Sequence, residues 1–182
     1  SGVHATIYVP ATTPRQKPLE SLIDGYRYVW NDEKLRAMLS VDLIPIVLGM
    51  SYVAMAPAIA SDVLGLGSKG FGYLLTVSGV GSLAGTLLVA RISSRPNRGK
   101  MVLAAVSSFA VLIVFFGLSG TVWLSFPLIG LLSLSYAMSS TLNDTLIQLH
   151  ADDAYRGRVM AVYSTFWGLS PAGGLLAGYL AN

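Results

Sequence analysis

The apolar residues of this chain are gathered into five long runs separated by short polar stretches. The runs cover Ala37–Ala60, Gly70–Ala90, Met101–Leu118, Val122–Leu149 and Val159–Ala181. A helix needs about 20 mainly apolar residues to cross a bilayer, because lipid offers no hydrogen-bond partner to free backbone groups. A buried bundle within a large soluble protein is disfavoured, since no acidic residue lies between Asp62 and Asp144. The pattern predicts an all-α membrane protein with five transmembrane helices.

A different pattern precedes the first run. Apolar residues recur there at helical spacing among charged side chains; they are Leu19, Leu22, Ile23, Tyr26 and Val29, with Trp30 beside them. This spacing predicts an amphipathic helix over about residues 19–35 that lies along the membrane interface. The proline-broken stretch before it, residues 10–18, is predicted to be an extended linker.

Composition agrees with a membrane protein. Charged residues make up only 12% of the chain and hydrophobic residues 53%, whereas an ordinary soluble domain carries roughly a quarter charged residues. The net charge of +3 does not indicate a nucleic-acid partner, because that function needs basic residues clustered on one wettable face. The chain has no cysteine, which excludes disulfides and thiolate metal sites within it.

The charge on the loops predicts the orientation of the chain. If alternate loops lie on the same side of the membrane, that side carries every Lys and Arg except Lys69. The positive-inside rule makes this side cytoplasmic. The N-terminal segment (residues 1–36) and the loops at 91–100 and 150–158 are therefore predicted to lie in the cytoplasm.

Two acidic residues, Asp42 and Asp144, fall inside predicted spans. Each lies about five residues from the cytoplasmic end of its helix, or about 7–8 Å deep. Ionisable groups in a membrane are costly unless they are paired or wetted, so both are candidate proton-coupling residues. The alternative is a structural ion pair with an interfacial arginine or lysine, such as Arg36, Arg91 or Arg158. Polar neighbours in the fourth span are candidates for lining a transport cavity; they are Asn143, Ser139, Ser140 and Thr145.

Small residues one helical turn apart predict close helix packing at two places. The pairs are Gly81 with Gly85 in the second span and Gly174 with Gly178 in the fifth. The glycines of "GLGSKG", residues 65–70, formally match a dinucleotide fingerprint, but no strand precedes them and no acid follows at the required distance. No residue cluster has the spacing of a metal, cofactor or catalytic site, so we expect no cofactor and no enzymatic activity.

The polar loop before the fifth span contains four charges in seven residues. We expect Asp153 to cap the following helix, and Gly157 to keep the chain slim where loop and helix pack. Arg156 and Arg158 are then placed to reach lipid phosphates or acidic helix ends. Together with Arg91, at the end of the second span, these residues form a predicted cytoplasmic charge clamp.

Two stretches in this order and at this separation resemble the C-terminal half of major facilitator superfamily transporters. They are "DVLGLGSKGFGYLLTVSGVGSLAGTLLVARIS" and "NDTLIQLHADDAYRGRVMAVYS", and the most specific element is Asp-x-x-Arg-Gly-Arg-Val at residues 153–159. The stretch "GTLLVARISSRPNRGK" is similar to a degenerate copy of a second loop motif of the family, with Ala90 at the position of its acid. The branch that it resembles holds the enterobactin exporter and macrolide-efflux proteins.

The resemblance implies that the five spans are helices seven to eleven of a twelve-helix transporter, following its central cytoplasmic loop. It further implies a bacterial inner-membrane protein that works with an N-terminal half of the same transporter. Such proteins move small molecules by alternating access between their halves, and a proton-driven exporter of small amphipathic molecules is the expected function. The alternative is a stand-alone membrane module, such as a scaffold, sensor or partner subunit, without transport.

Overall fold

The computed structural model describes residues 18–58, 60–61, 65, 67–92 and 97–168. These residues form six helices and no strand, which confirms the all-α prediction. The helices are α1 (Pro18–Asn31), α2 (Glu33–Ala58), α3 (Gly67–Ile92), α4 (Arg98–Leu118), α5 (Val122–His150) and α6 (Arg156–Gly168).

Three of the described helices are long and apolar enough to cross a membrane. They cover Lys69–Ile92, Arg98–Leu118 and Val122–His150. Helix α2 coincides with the first predicted span and α6 with the start of the fifth, so the number of five spans stays a prediction. The rest of the fifth span, including Gly174 and Gly178, lies outside the described residues.

Helix α2 begins earlier than the apolar pattern indicates, because Asp32 caps it. The Asp32 carboxylate accepts hydrogen bonds from the backbone N–H groups of Lys34 (2.9 Å) and Leu35 (3.1 Å). A side-chain acceptor in this position satisfies amides that have no partner within the helix. Asp32 is the single residue between α1 and α2.

The outer surface of the bundle is apolar, as expected for a membrane protein. Leu83 and Leu87 on α3, and Val114 and Phe115 on α4, are each more than half exposed. A soluble protein rarely exposes a large contiguous apolar patch. These surfaces fit contact with lipid or with further transmembrane helices.

Helix α5 forms the centre of the bundle and packs along both α3 and α4. Two serine pairs hydrogen-bond across these contacts, Ser78 with Ser133 (2.7 Å) and Ser108 with Ser135 (3.1 Å). Interhelical hydrogen bonds and close packing hold membrane helices together, since lipid is as apolar as the side chains.

The glycine face of α3 lies directly against the backbone of α5. A Cβ atom built on Gly85 would lie 2.5 Å from the carbonyl oxygen of Leu134, and one on Gly81 would overlap the carbonyl oxygen of Gly130. Real Cβ atoms do not approach backbone so closely, so the helix spacing at this point requires glycine on α3.

Candidate functional site

The acidic side chains of α2 and α5 meet at one hydroxyl group from α6. Asp42 is only 2% exposed, and its Oδ2 accepts a hydrogen bond from the hydroxyl of Tyr163. Asp144 also interacts with this hydroxyl. Three helices that are distant in sequence therefore contribute to one polar cluster around Tyr163. We call its two carboxyl groups, Asp42 and Asp144, the acid pair.

Among the described residues, no donor is in hydrogen-bond geometry with the buried Oδ1 atoms of Asp42 and Asp144, although the Asn143 side chain lies close enough to interact with Asp42. The neighbouring Asn143 is also buried, and its Nδ2 donates to the backbone carbonyl of Met38 on α2 (3.0 Å). That bond fixes α5 against α2 one turn before Asp42. Unpartnered buried carboxyl oxygens are costly, and their cost is accepted most often at functional sites.

Sequence reasoning missed Tyr163 and offered arginine as the structural partner of the acids. In the structure, Arg158 instead pairs with Asp24 of α1 (3.6 Å), and the guanidinium of Arg36 lies 6.0 Å from the ring centre of Trp30. A tyrosine inside an apolar run was the available signal, since a buried tyrosine hydroxyl normally needs a polar partner.

A cavity of about 290 Å³ lies between α2, α3, α4 and α5. Its walls combine an aromatic pair with hydroxyl groups: Phe109 and Tyr136, whose ring centres are 5.7 Å apart, and Ser78, Ser82 and Ser133. Tyr136 lies within electrostatic reach of both Asp42 and Asp144. Asp42, Asp144 and Tyr163 are not among the residues that line the cavity.

The four residues predicted to line a cavity are not among those that line this one. Three of them, Ser139, Ser140 and Thr145, donate hydrogen bonds to carbonyl groups of their own helix. Asn143 is engaged with Met38. Their proposed role in a cavity between two transporter halves stays a prediction.

The loop between α5 and α6 differs in detail from the predicted charge clamp. The Asp153 carboxylate bonds to the Arg156 guanidinium (2.7 Å), while the first amides of α6 use the carbonyl of Asp152. Among the described residues, the expected close approach at Gly157 is not seen, because a Cβ there would meet none of their atoms within 4 Å. Arg91 is exposed in the last turn of α3, and its part in a clamp stays a prediction.

Helix α1 is fastened to this loop by aromatic and polar contacts. The rings of Tyr28 and Tyr155 stack with centres 4.4 Å apart and an interplanar angle of 4°. The Tyr28 hydroxyl donates to the Asp152 carboxylate (3.1 Å). His150 Nε2 lies 3.0 Å from Asp32 Oδ2. We call this set of contacts the latch (Tyr28, Asp32, His150, Asp152 and Tyr155).

The close approach that was expected at Gly157 occurs instead at Gly25 of α1. A Cβ on Gly25 would lie 2.9 Å from the carbonyl oxygen of Arg158 and 3.1 Å from a methyl group of Val162.

We expect Gly25→Val to separate α1 from α6 and to raise the rate of tryptic cleavage after Arg27 by about tenfold. The matched control is Gly157→Val on α6, where the added Cβ would meet no atom of the described residues within 4 Å. Equal cleavage of the two variants would contradict the predicted contact.

The contacts of Asp32 in the latch should make the stability of the fold depend on pH. Partial burial raises the pKa of Asp32, but hydrogen bonds from the Leu35 N–H, from His150 and from the Lys34 N–H outweigh it and hold that pKa below its usual value. A group with a lowered folded-state pKa stabilises the fold fully above its unfolded pKa, about 4, and this contribution is lost as the pH falls through the folded value.

We therefore expect the thermal unfolding temperature to decrease when the pH is lowered below about 4. The Asp32→Asn variant should lack this acid-induced decrease. The neighbouring Glu33→Gln serves as the control and should retain it. The measurement is a series of unfolding curves between pH 7 and pH 3. An unchanged acid-induced decrease in Asp32→Asn would show that other groups cause it.

Comparisons with known proteins agree with this architecture. The profile of a family described as "transmembrane secretion effector" (MFS_3) matches residues 5–182. An uncharacterised MFS-type transporter, YfmI of Bacillus subtilis (strain 168), is 26% identical over 155 residues, which cover 83% of this chain and 38% of that protein. No solved structure matches the chain.

Two further relatives carry transport functions in their names. The staphyloferrin A transporter of Staphylococcus aureus (strain NCTC 8325 / PS 47) is 25% identical over 175 residues, covering 96% of this chain and 43% of that protein. The multidrug efflux pump Tap of Mycolicibacterium fortuitum is 26% identical over 166 residues, covering 90% and 40%. The chain thus spans about two fifths of these relatives. It is part of an integral membrane protein and belongs to the transmembrane secretion effector family of major facilitator superfamily (MFS) transporters.

Proposed function

We propose that this chain is part of a proton-coupled exporter of small amphipathic molecules in a bacterial plasma membrane. The family and the names of two relatives, a staphyloferrin A transporter and a multidrug efflux pump, support transport of small molecules. Because the chain covers about two fifths of those relatives, alternating access would require the helices of a second half.

The observation that carries the proposal is the acid pair. Two carboxyl groups from different helices interact with one tyrosine hydroxyl, and within the described part of the chain the Oδ1 atom of each is buried with no donor in hydrogen-bond geometry. Keeping two neighbouring negative charges there would be very costly, so the pair is suited to bind and release a proton as its access to water changes. A change in the charge of Asp42 would alter its hydrogen bond with Tyr163 and hence the contact of α2 with α6.

The cavity between α2, α3, α4 and α5 supports the proposed substrate class, small amphipathic molecules. Aromatic walls at Phe109 and Tyr136 and the hydroxyl groups of Ser78, Ser82 and Ser133 would suit a molecule with an apolar body and a few polar groups. Its volume, about 290 Å³, is near the lower limit of small-molecule sites. It would hold a part of a larger substrate, the remainder contacting the second half.

The experiment uses the complete transporter reconstituted in proteoliposomes with a fluorescent amphipathic dye. A pH gradient of one unit should drive dye accumulation of about tenfold for one-to-one exchange, since one pH unit corresponds to 1.36 kcal/mol. A sodium gradient of equal size, without a pH gradient, is the control. Accumulation driven by sodium alone, or no accumulation under the pH gradient, would overturn proton coupling.

A further inference from the structure

The cavity between α2, α3, α4 and α5 is built from one face of each helix. Pro45, Gly49 and Val53 recur at intervals of four residues, so they lie on the same face of α2. Ser78 and Ser82 are one turn apart on α3. Because these walls all belong to this chain, a group held between them can be recognised without a contact from the second half of the transporter.

Gly49 keeps the space beside the aromatic wall open. A Cβ atom built on Gly49 would lie 3.8 Å from both Phe109 Cζ and Tyr136 Cε2, which is ordinary van der Waals contact. The helix backbone sets the direction of a Cβ, so the further atoms of a larger side chain would extend beside these rings into the cavity. Glycine at position 49 therefore determines how large a group the cavity admits.

The hydroxyl groups of the cavity differ in their availability to a ligand. Those of Ser78 and Ser133 hydrogen-bond to each other (2.7 Å). Ser82 also lines the cavity, and no hydrogen bond within the described residues uses its hydroxyl. A serine hydroxyl can both donate and accept, so Ser82 can bind a polar group of a ligand without breaking an existing contact.

The volume and the walls of the cavity define the chemistry of that ligand. A cavity of about 150 Å³ with apolar walls holds one benzene ring, so about 290 Å³ has room for two fused rings. The rings of Phe109 and Tyr136 favour an aromatic partner. None of the described residues that line the cavity has a charged side chain, and an ionised group would lose its hydration there without a charged partner in contact.

We propose that the cavity binds an uncharged two-ring aromatic group with a hydroxyl substituent, where Gly49 sets the size limit and Ser82 binds the hydroxyl. The inference rests on the proposed function only in that such a group would be part of an exported molecule. Binding itself needs no pH gradient, so the two proposals can fail separately.

The test measures the binding of 2-naphthol and of naphthalene to the complete transporter in detergent, by titration calorimetry without a pH gradient. Gly49→Leu should weaken the binding of both compounds by about tenfold or more, because its side chain takes up space that they need. The matched control is Gly117→Leu on α4, where a Cβ would meet no atom of the described residues within 4 Å. If Gly49→Leu folds poorly, Gly49→Val should also weaken the binding of both compounds.

The two compounds differ only in the hydroxyl group, so together they test the role of Ser82. Ser82→Ala should weaken the binding of 2-naphthol by about fivefold, the contribution of one hydrogen bond, and leave the binding of naphthalene unchanged. Equal weakening for both compounds would overturn the assigned role of Ser82.

Two results would overturn the binding site itself. One is no binding of either compound by the unsubstituted transporter, and the other is equal affinity of Gly49→Leu and Gly117→Leu. Binding with the expected variant effects, but without dye uptake under a pH gradient, would leave the site in place and contradict proton coupling alone.

Discussion

The Gly81→Val substitution is expected to force α3 away from α5 and to lower the free energy of unfolding by about 3 kcal/mol or more. The added side chain would begin inside the space of the Gly130 carbonyl oxygen, which belongs to the backbone and cannot rotate aside. The helices would have to separate along this stretch. That movement would also strain the Gly85 contact with Leu134 and the hydrogen bond between Ser78 and Ser133.

The measurement is the thermal unfolding midpoint of the complete transporter in detergent, followed by size-exclusion chromatography after heating. The matched control is Gly79→Val, two residues earlier in the same helix, where a Cβ would meet nothing within 4 Å. Both variants exchange glycine for a β-branched residue in a helix, so the intrinsic helix propensity changes alike. Equal loss of stability in the two variants would contradict the packing role of Gly81.

The sequence predicted the glycine face of α3 but could not identify its partner. A small-x-x-x-small pattern states that a helix surface allows close approach, and it carries no information on which helix approaches. On α5, Ser133 and Ala137 have this spacing and face α3, but Ser135 and Ser139 have it as well, so the pattern does not single out the contact face. The same limit applies to Gly157, since a glycine in a loop motif and a glycine at a helix contact look alike in sequence. Gly25, which makes the contact with α6, stands alone in a polar segment.

The acid pair was predictable in part. Counting residues from the ends of the apolar runs placed Asp42 and Asp144 at similar depth, and both are in the same cluster in the structure. Tyr163 is four residues from the start of the fifth predicted span, which corresponds to a depth of about 6 Å from the end of that helix, near the depth of the two acids. Depth alone did not reveal that these helices are neighbours, because adjacency of α2, α5 and α6 depends on tertiary packing. Tyr163 was therefore overlooked as one aromatic residue among many.

The largest functional effect is expected from Asp42→Asn and Asp144→Asn in the complete transporter. Each exchange keeps the size and polarity of the side chain but removes the group that binds a proton, so transport driven by a pH gradient should fall by about 100-fold or more in either variant. The double variant should lose little beyond that, because residues that act as one unit give strongly non-additive effects. The measurement is initial dye uptake into proteoliposomes with an acidic lumen, normalised to the amount of inserted protein.

A second measurement separates lost coupling from lost folding. Exchange of labelled for unlabelled substrate at equal concentration needs no net proton movement, so it should continue in all three variants if only coupling is removed. The isosteric Tyr136→Phe variant is the control for the cavity wall, and it should retain gradient-driven uptake because the carboxyl groups are intact. Multiplicative losses in the double variant would mean that Asp42 and Asp144 act independently, despite their shared contact with Tyr163. Full gradient-driven uptake by either single variant would remove that residue from the coupling site.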